Sequence, residues 1–214
     1  AGKTVLLIEK KVWPRDKICG DAVGGKSLSH VKRLGVKDIL ESSPHFRVTG
    51  IKFSSPKGNV VRVALPEEDV QKLEAGYALP RIQFDHILFD RCQNLVRENG
   101  GMVIQDGAVK EILFDDGNGG EDPGKGSGNS RHSKGVIVTI GGRDGENKTY
   151  FTKEIIGAGG YQCPVARAVV KDSFSEVLVD NLHYCGGYRE YWTNVGGCSS
   201  NVGDIEIHFV DSIV

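Results

Sequence analysis

The sequence predicts a mixed α/β fold, in which one domain has a parallel sheet and a second domain is rich in antiparallel strands. The run "KTVLLIEK" (3–10) is continuously apolar, as in a strand buried on both faces of a parallel sheet. Segment 77–101 has the apolar spacing of a long amphipathic helix that ends at Gly100 and Gly101. Alternation in "VVRVAL" (60–65) indicates antiparallel strands.

The other elements follow from local patterns. Pro14 and several glycines predict a loop over 10–25, and 26–42 has the spacing of one or two short helices broken near Gly35. A β-hairpin is expected around Pro56–Gly58. Further strands are predicted at 102–116, 135–142 and 148–156, and at 182–195 and 204–210, whose alternation is typical of antiparallel sheet. Residues 117–135 are low in complexity and are predicted to form a mobile hairpin tip.

The long helix carries one apolar stripe, which is expected to face the core. Its members are Phe84, Ile87, Leu88, Cys92, Leu95 and Val96.

Composition narrows the class of protein. The chain has 214 residues, 39% of them hydrophobic, and a net charge of -1, which gives no electrostatic case for nucleic acid. No apolar run approaches the ~20 residues that cross a bilayer, and no secretory signal is visible. Five scattered cysteines without a CxxC pair indicate reduced thiols in the cytoplasm and argue against a metal site. Because the chain opens in a strand without Met and stops at "DIEIHFVDSIV", we expect a piece of a longer protein.

Two segments suggest a nucleotide site. Glu9 closes the first strand, where an acidic residue can accept hydrogen bonds from ribose hydroxyls, although many strands end in Glu for solubility. In "EIIGAGGYQCPVAR" (154–167), a predicted short strand leads into four small residues and then a helix with Pro164 and Arg167. Small residues allow a backbone to approach a phosphate or ribose, and a helix N-terminus offers N–H donors; a plain tight turn is the alternative.

Four motifs occur in order: Glu9, "KICGDAVG" (17–24), "LPRIQFDHILFDR" (79–91) and "IIGAGGYQCPVAR" (155–167). Together with "YREYW…IEIHF", they resemble the geranylgeranyl reductase family of FAD-dependent oxidoreductases, within the group that has a p-hydroxybenzoate-hydroxylase-like fold. The resemblance implies an FAD/NAD(P)-binding Rossmann-like domain and a β-rich (α+β) substrate domain, both incomplete. The first would comprise 1–47 and 78–170, with the hairpin insertion 117–135, and the second 48–77 and 171–214.

The resemblance also implies site residues. Cys19, Gly20 and Asp21 inherit an active-site role in a loop near the flavin ring. The implied FAD contacts are Glu9, Lys10, Arg15, Arg81, Val109, Gly157, Ala158, Gly159 and Gly160. The family usually has Gly-Ala-Asp-Gly at 157–160, so Gly159 removes an expected carboxylate. With no upstream glycine fingerprint in these 214 residues, we expect them to hold FAD weakly or not at all.

Several side chains keep two interpretations. Asp21 is expected either to relay a proton or to cap the following helix, and Cys19 to act as a polarizable wall or weak donor. Tyr188, Tyr191 and Trp192 either line an apolar tunnel for a prenyl substrate or form the packed face of a sheet, which we favour for at least one of them. Arg189 would lie on the opposite face, in solvent or beside a carboxylate, and His30 is expected at a surface or between helices.

The implied activity is FAD-dependent reduction of C=C bonds in a geranylgeranyl or other isoprenoid chain of a lipid, quinone or pigment precursor. NAD(P)H or ferredoxin would supply electrons, and the protein would be cytoplasmic with peripheral membrane contact. The alternatives are an FAD-dependent monooxygenase or halogenase of the same fold, and a truncated, non-catalytic fragment. No segment of the sequence fixes the oligomeric state.

Overall fold

The computed structural model describes residues 2–72, 74–115, 135–142, 145–176, 186–196 and 202–211. Its contacts divide the chain into two compact units: unit 1 is Ala1–Val12 with Val96–Gly186, and unit 2 is Trp13–Leu95 with Gly187–Val214. In chain order the elements are β1 (Leu6–Glu9), β2 (Ala22–Val23), α1 (Lys26–Leu34), α2 (Lys37–Ser42), β3 (Phe46–Ser54), β4 (Val60–Ala64), α3 (Glu67–Gln71), β5 (Tyr77–Ala78), α4 (Arg81–Glu98), β6 (Met102–Gln105), β7 (Ala108–Asp115), β8 (Gly135–Gly141), β9 (Asn147–Thr152), α5 (Pro164–Phe174) and β10 (Val202–His208).

Unit 1 combines a parallel strand pair with an antiparallel meander. Strands β1 and β6 pair in parallel, with Glu9 opposite Gln105 at their carboxyl ends. Strands β7, β8 and β9 form an antiparallel sheet whose centre is β8. Val136, Val138 and Ile140 of β8 are buried, and apolar side chains of β1, β6 and β7 pack against them. Helix α5 follows a short 3₁₀ turn at Gly160–Gln162, and Pro164 occupies its first turn, where a missing N–H is harmless.

Unit 2 is built on a mixed sheet in the order β10-β3-β5-β2, and β4 forms a hairpin with β3. Helices α1 and α2 are separated at Gly35, which adopts a left-handed conformation with φ 71° that glycine takes without steric penalty. The core contains Val23, Leu28, Val31, Val36, Leu40, Tyr77 and Leu79, and three apolar side chains of α4 pack against it. Leu40 and Val36 are completely buried.

Most predicted elements are confirmed. The mixed α/β class, the two short helices around Gly35, the hairpin around Pro56–Gly58 and the long helix that ends before Gly100 are all present. The apolar stripe of α4 is only partly correct. Phe84, Ile87, Leu88 and Val96 pack inward, but Cys92 is exposed and Leu95 is 36% exposed. Strand β1 is half-buried rather than buried on both faces.

Three expectations about strands are wrong. Residues 154–156 before the glycine-rich turn do not form a strand. Residues 186–196 are also irregular, so Tyr188, Tyr191 and Trp192 do not alternate across a sheet. Strand β10 pairs with β3 in parallel rather than antiparallel, since alternation of apolar residues indicates the two faces of a strand and does not fix the direction of its partner.

Some predictions concern residues outside the described ranges. Residues 117–134 of the predicted mobile tip, with Cys185 and Cys198, fall there. Among the described cysteines, Cys19, Cys92 and Cys163 are free thiols. The division into compact units does not test which residues bind a cofactor or a substrate, so the assignment of 1–47 with 78–170 and of 48–77 with 171–214 stays a prediction.

Candidate functional site

The loop that carries Cys19 and Gly20 is anchored at its end by Asp21. The backbone carbonyl of Asp21 accepts the N–H of Leu79 (3.2 Å), and β2 then pairs with β5. The carboxylate oxygen Oδ1 accepts the backbone N–H of Arg81 (3.1 Å), the first residue of α4. Asp21 therefore satisfies a helix N-terminus, but that of α4 and not of the following helix α1, which has no side-chain cap. The proton-relay role of Asp21 stays a prediction.

Arg81 has partners of its own. Its Nε and Nη2 atoms donate to the Asp85 carboxylate at 2.7–3.0 Å, and both side chains are largely buried. Burial alone would lower the pKa of Arg81, but the hydrogen bond and charge of Asp85, with a smaller contribution from the neighbouring Cys19 side chain, raise that pKa above its ordinary value. The thiol of Cys19 therefore lies next to a permanent cation.

Arg15 is held by aromatic rings. Its guanidinium lies 4.5 Å from the centre of the Trp13 ring, and Trp13 stacks on Phe89 of α4 with 4.7 Å between ring centres. A cation over an indole face is attracted by the negative electrostatic potential of the ring. Unit 2 thus gathers Arg15, Cys19, Asp21 and Arg81 along the N-terminal half of α4.

The segment 186–192 touches the same loop through Arg189 and Tyr191. The Arg189 guanidinium donates to Asp16 Oδ2 (2.5 Å) and to the Lys17 carbonyl (3.0 Å), and it lies 4.6 Å from the centre of the Tyr191 ring. The Tyr191 hydroxyl donates to Asp21 Oδ1 (3.1 Å). Burial and the nearby Asp21 raise the pKa of Tyr191, and the Arg189 bond lowers the pKa of Asp16.

The aromatic side chains of this segment are exposed. Tyr188, Tyr191 and Trp192 are 83%, 58% and 76% exposed, so the expectation that at least one packs in a sheet face is wrong. The Tyr188 hydroxyl bonds Glu190. Arg189 does lie beside carboxylates, as one of its two interpretations proposed, and His30 is exposed with its Nδ1 3.2 Å from Arg33. Sequence reasoning did not assign Arg189 to the site, since its partners lie ~170 positions away.

In unit 1, Glu9 and Lys10 lie at the carboxyl end of β1. The Glu9 carboxylate accepts the N–H of Lys11 (2.9 Å), and its backbone carbonyl accepts the N–H of Gly107 (3.1 Å) in the turn between β6 and β7. Val109, at the start of β7, lines a groove of about 630 Å³ together with Pro164 and Ala168 of α5. Ligands of parallel α/β sheets bind at the carboxyl ends of strands, where Glu9 and this turn lie.

The turn at 157–160 is packed against Cys163. A Cβ atom on Gly157 would lie 2.9 Å from the Cys163 Sγ, and one on Gly159 would lie 3.1 Å from the Cys163 Cα. Gly160 has φ +71° and open space around it, and Ala158 is exposed. Small residues at 157 and 159 therefore have an internal explanation, which is the close approach of the turn to Cys163.

Cys163 directly precedes the N-terminus of α5, and the availability of N–H donors there stays a prediction. Burial opposes ionisation of the Cys163 thiol, but bonds from the backbone of Ala166, Gly159 and Val165 lower its pKa. Ala158 and Gly160 in the turn before this helix are exposed.

The predicted site residues thus form two groups, one in each unit. Unit 2 contains Arg15, Cys19, Gly20, Asp21, Arg81, Tyr188, Tyr191 and Trp192; unit 1 contains Glu9, Lys10, Val109 and the turn 157–160. Within the described ranges, no three His, Cys, Asp or Glu side chains gather as a metal site would require. None of the helices described is both long and apolar enough to cross a membrane.

Comparison with curated proteins finds two kinds of relative, while no family model matches the chain. Conditioned medium factor receptor 1 of Dictyostelium discoideum is 47% identical over 60 residues, which is 27% of this chain and 12% of that protein. Menaquinone reductase of Mycolicibacterium smegmatis is 26% identical over 129 residues, which is 55% of this chain and 29% of that protein. The chain therefore spans less than a third of the length of each.

Solved structures resemble most of the described chain. A flavoprotein/dehydrogenase from Cytophaga hutchinsonii aligns with a TM-score of 0.55 and 19% identity, over 80% of this chain and 36% of that one. The p-nitrophenol 4-monooxygenase of Pseudomonas putida DLL-E4 aligns with a TM-score of 0.57 and 13% identity, over 78% and 37%. This chain has the fold of these flavoproteins. The shared fold confirms the predicted class and leaves the reaction to be argued from the residues.

Proposed function

We propose that this chain belongs to an FAD-dependent oxidoreductase that reduces C=C bonds in an isoprenoid chain carried on a quinone, lipid or pigment precursor. The single observation that carries the proposal is the similarity to menaquinone reductase over 129 residues, in a chain that has a flavoprotein fold. A menaquinone combines a quinone ring with an isoprenoid tail, so a relative of its reductase is expected to accept a long apolar substrate.

The residues of unit 1 fit the nucleotide end of such a cofactor. Glu9 and Lys10 stand at the carboxyl end of a parallel strand, where a carboxylate can accept ribose hydroxyls. Val109 and the exposed backbone of Ala158 and Gly160 offer close approach without bulky side chains. Gly157 and Gly159 would contribute through the shape of the turn, since both face Cys163.

In unit 2, the loop with Cys19, Gly20 and Asp21 would face the reacting double bond. When bound, FAD would supply the hydride, and the protein would supply position, a dry environment and a proton. Arg15 and Arg81 are cations that complement the anionic pyrophosphate or a reduced flavin. Exposed Tyr188 and Trp192 would contact the apolar chain, and Tyr191 would contact it with its ring while its hydroxyl bonds Asp21.

Two measurements test the proposal. FAD is first titrated into the longest form of the protein that can be expressed, and binding is read from quenching of flavin fluorescence. Glu9→Gln is expected to weaken binding, while Glu67→Gln, at an exposed position of α3, serves as the matched control. The longest form of the protein that can be expressed is then incubated anaerobically with reduced flavin and a prenylated quinone. Mass spectrometry of the isolated tail should show the addition of hydrogen pairs; a substrate reduced only in its ring, or not at all, contradicts the proposal.

The second candidate is an FAD-dependent monooxygenase or halogenase. It is favoured by the structural similarity to the Pseudomonas putida monooxygenase, because one fold can support more than one reaction. Oxygen uptake separates the two candidates: a monooxygenase consumes oxygen in proportion to product, whereas the proposed reductase forms product without it. NAD(P)H and ferredoxin are compared as electron donors in the same assay.

A further inference from the structure

Arg189 differs from every neighbour in its segment. Within the described residues 186–196 it is the one residue that is not exposed, and only 15% of its side chain is accessible. The segment has no helix or strand of its own to fix it. A largely buried guanidinium in an otherwise exposed and irregular segment requires partners that satisfy its donors.

Those partners all belong to one short loop. Nη2 donates to Asp16 Oδ2 at 2.5 Å, and Nη1 donates to the Lys17 carbonyl at 3.0 Å and approaches Asp21 Oδ1 at 3.5 Å. The guanidinium also lies over the Tyr191 ring, 4.6 Å from its centre. One side chain thus contacts a carboxylate near the start of the loop, a backbone carbonyl in its middle and the carboxylate at its end.

A surface ion pair is the simpler explanation, and isolated exposed pairs contribute little to stability. The geometry here differs in two respects. A backbone carbonyl is among the acceptors, so the bond constrains the path of the loop and not only the charge of one side chain. The planar guanidinium also engages several acceptors at once, which a lysine ammonium on a flexible stem does less well.

We propose that Arg189 is a positioning residue that holds loop 15–21, and with it Cys19, against the segment 188–192. Asp21 extends this arrangement to the first turn of α4 through the Arg81 N–H. The catalytic consequence rests on the proposed function: Arg189 connects the residues expected to contact the isoprenoid chain with the loop expected to face the double bond.

Limited proteolysis tests the assignment without any cofactor. The carbonyl that accepts from Arg189 belongs to the Lys17–Ile18 peptide bond, which trypsin cleaves only when that backbone is released into an extended form. Cleavage of native proteins follows the population of the opened state, and loss of these bonds is expected to raise that population roughly tenfold. Arg189→Gln should therefore accelerate cleavage after Lys17 by about tenfold, measured as the initial rate by mass spectrometry.

Four variants act as controls. Arg62→Gln removes a different arginine–aspartate pair of unit 2, the bidentate pair with Asp204, and should leave the Lys17 cleavage rate unchanged. Arg189→Lys should give an intermediate rate. Asp16→Asn should raise the cleavage rate by itself. The double variant Asp16→Asn with Arg189→Gln should be cleaved faster than the wild type by a factor smaller than the product of the two single-variant factors.

Wild-type cleavage in Arg189→Gln, or equal acceleration in Arg62→Gln, would overturn the assignment. In a form of the protein that catalyses the proposed reduction, Arg189→Gln should also lower kcat. Arg189→Lys should retain part of the wild-type kcat, and Arg62→Gln should leave kcat unaltered. The two proposals fail separately: a prenylated quinone whose tail gains no hydrogen contradicts the proposed function but not the role of Arg189, and unchanged proteolysis does the reverse.

Discussion

Replacement of Asp21 tests how the loop with Cys19 is fixed to α4. The carboxylate accepts the N–H of Arg81 and the hydroxyl of Tyr191, each at 3.1 Å, and its side chain is 22% exposed. Loss of a side chain that satisfies a helix N-terminus costs about 1 kcal/mol, and loss of a hydrogen bond to a charged acceptor costs about 1.5 kcal/mol. We therefore expect Asp21→Ala to lower the free energy of unfolding by about 2.5 kcal/mol.

The assay is urea unfolding followed by tryptophan fluorescence. Both tryptophans of the chain, Trp13 and Trp192, lie in unit 2, so the signal reports the unit that contains the perturbation. Asp21→Asn is the matched control: its amide oxygen can still accept the Arg81 N–H, so it should destabilise by only about 1 kcal/mol. If Asp21→Ala unfolds within about 0.5 kcal/mol of the wild type, the carboxylate does not anchor the loop and the reasoning is refuted.

Three further outcomes follow from the structure. Gly157→Ala should destabilise by about 1–2 kcal/mol in a denaturant titration, because its Cβ would lie 2.9 Å from the Cys163 Sγ; unchanged stability would contradict the packing. The hydrogen bond from Arg62 lowers the folded-state pKa of Asp204, so the stabilisation from this pair is present above about pH 4 and is lost as pH falls through the folded pKa. Asp204→Asn should therefore flatten the plot of unfolding free energy against pH in that acidic range. A plot that runs parallel to that of the wild type would exclude the linkage. Gly159 has φ -84°, and a Cβ there would need its neighbours to shift by a few tenths of an ångström, so Gly159→Asp is sterically feasible. This variant should tighten FAD binding about tenfold in a fluorescence titration, because its carboxylate would accept a ribose hydroxyl. Unchanged or weaker binding would show that the carboxylate does not reach the ribose.

Local patterns predicted much of the fold. The helix break at Gly35, the hairpin near Gly58 and the end of α4 before Gly100 depend on backbone conformations that a few neighbouring residues decide, and all three are present. The strand expected at 154–156 failed because an apolar dipeptide needs a hydrogen-bonding partner to become a strand, and the local sequence does not name one.

The candidate site likewise combines residues that the sequence predicts with contacts that only the structure shows. Chemistry-bearing residues such as Glu9, Cys19 and Arg81 could be selected from the sequence, because their motifs are contiguous. The role of Asp21 at α4 and the bonds of Arg189 to Asp16 could not, because they join positions 60 and 173 residues apart. Alternation in "YREYW" indicated a strand, but tertiary contacts hold this segment through Arg189 and leave Tyr188 and Trp192 exposed.

By itself, the sequence determined the α/β class, the order of most helices and hairpins, and which side chains are available for chemistry, since hydrophobic period and turn residues act over a few positions. Only the tertiary structure decided that β10 pairs with β3 in parallel, that Gly157 and Gly159 are small because Cys163 packs against them, and that Arg189 contacts the loop before β2. These outcomes depend on which distant segments meet, and that is fixed by the packing of the whole unit rather than by any local preference.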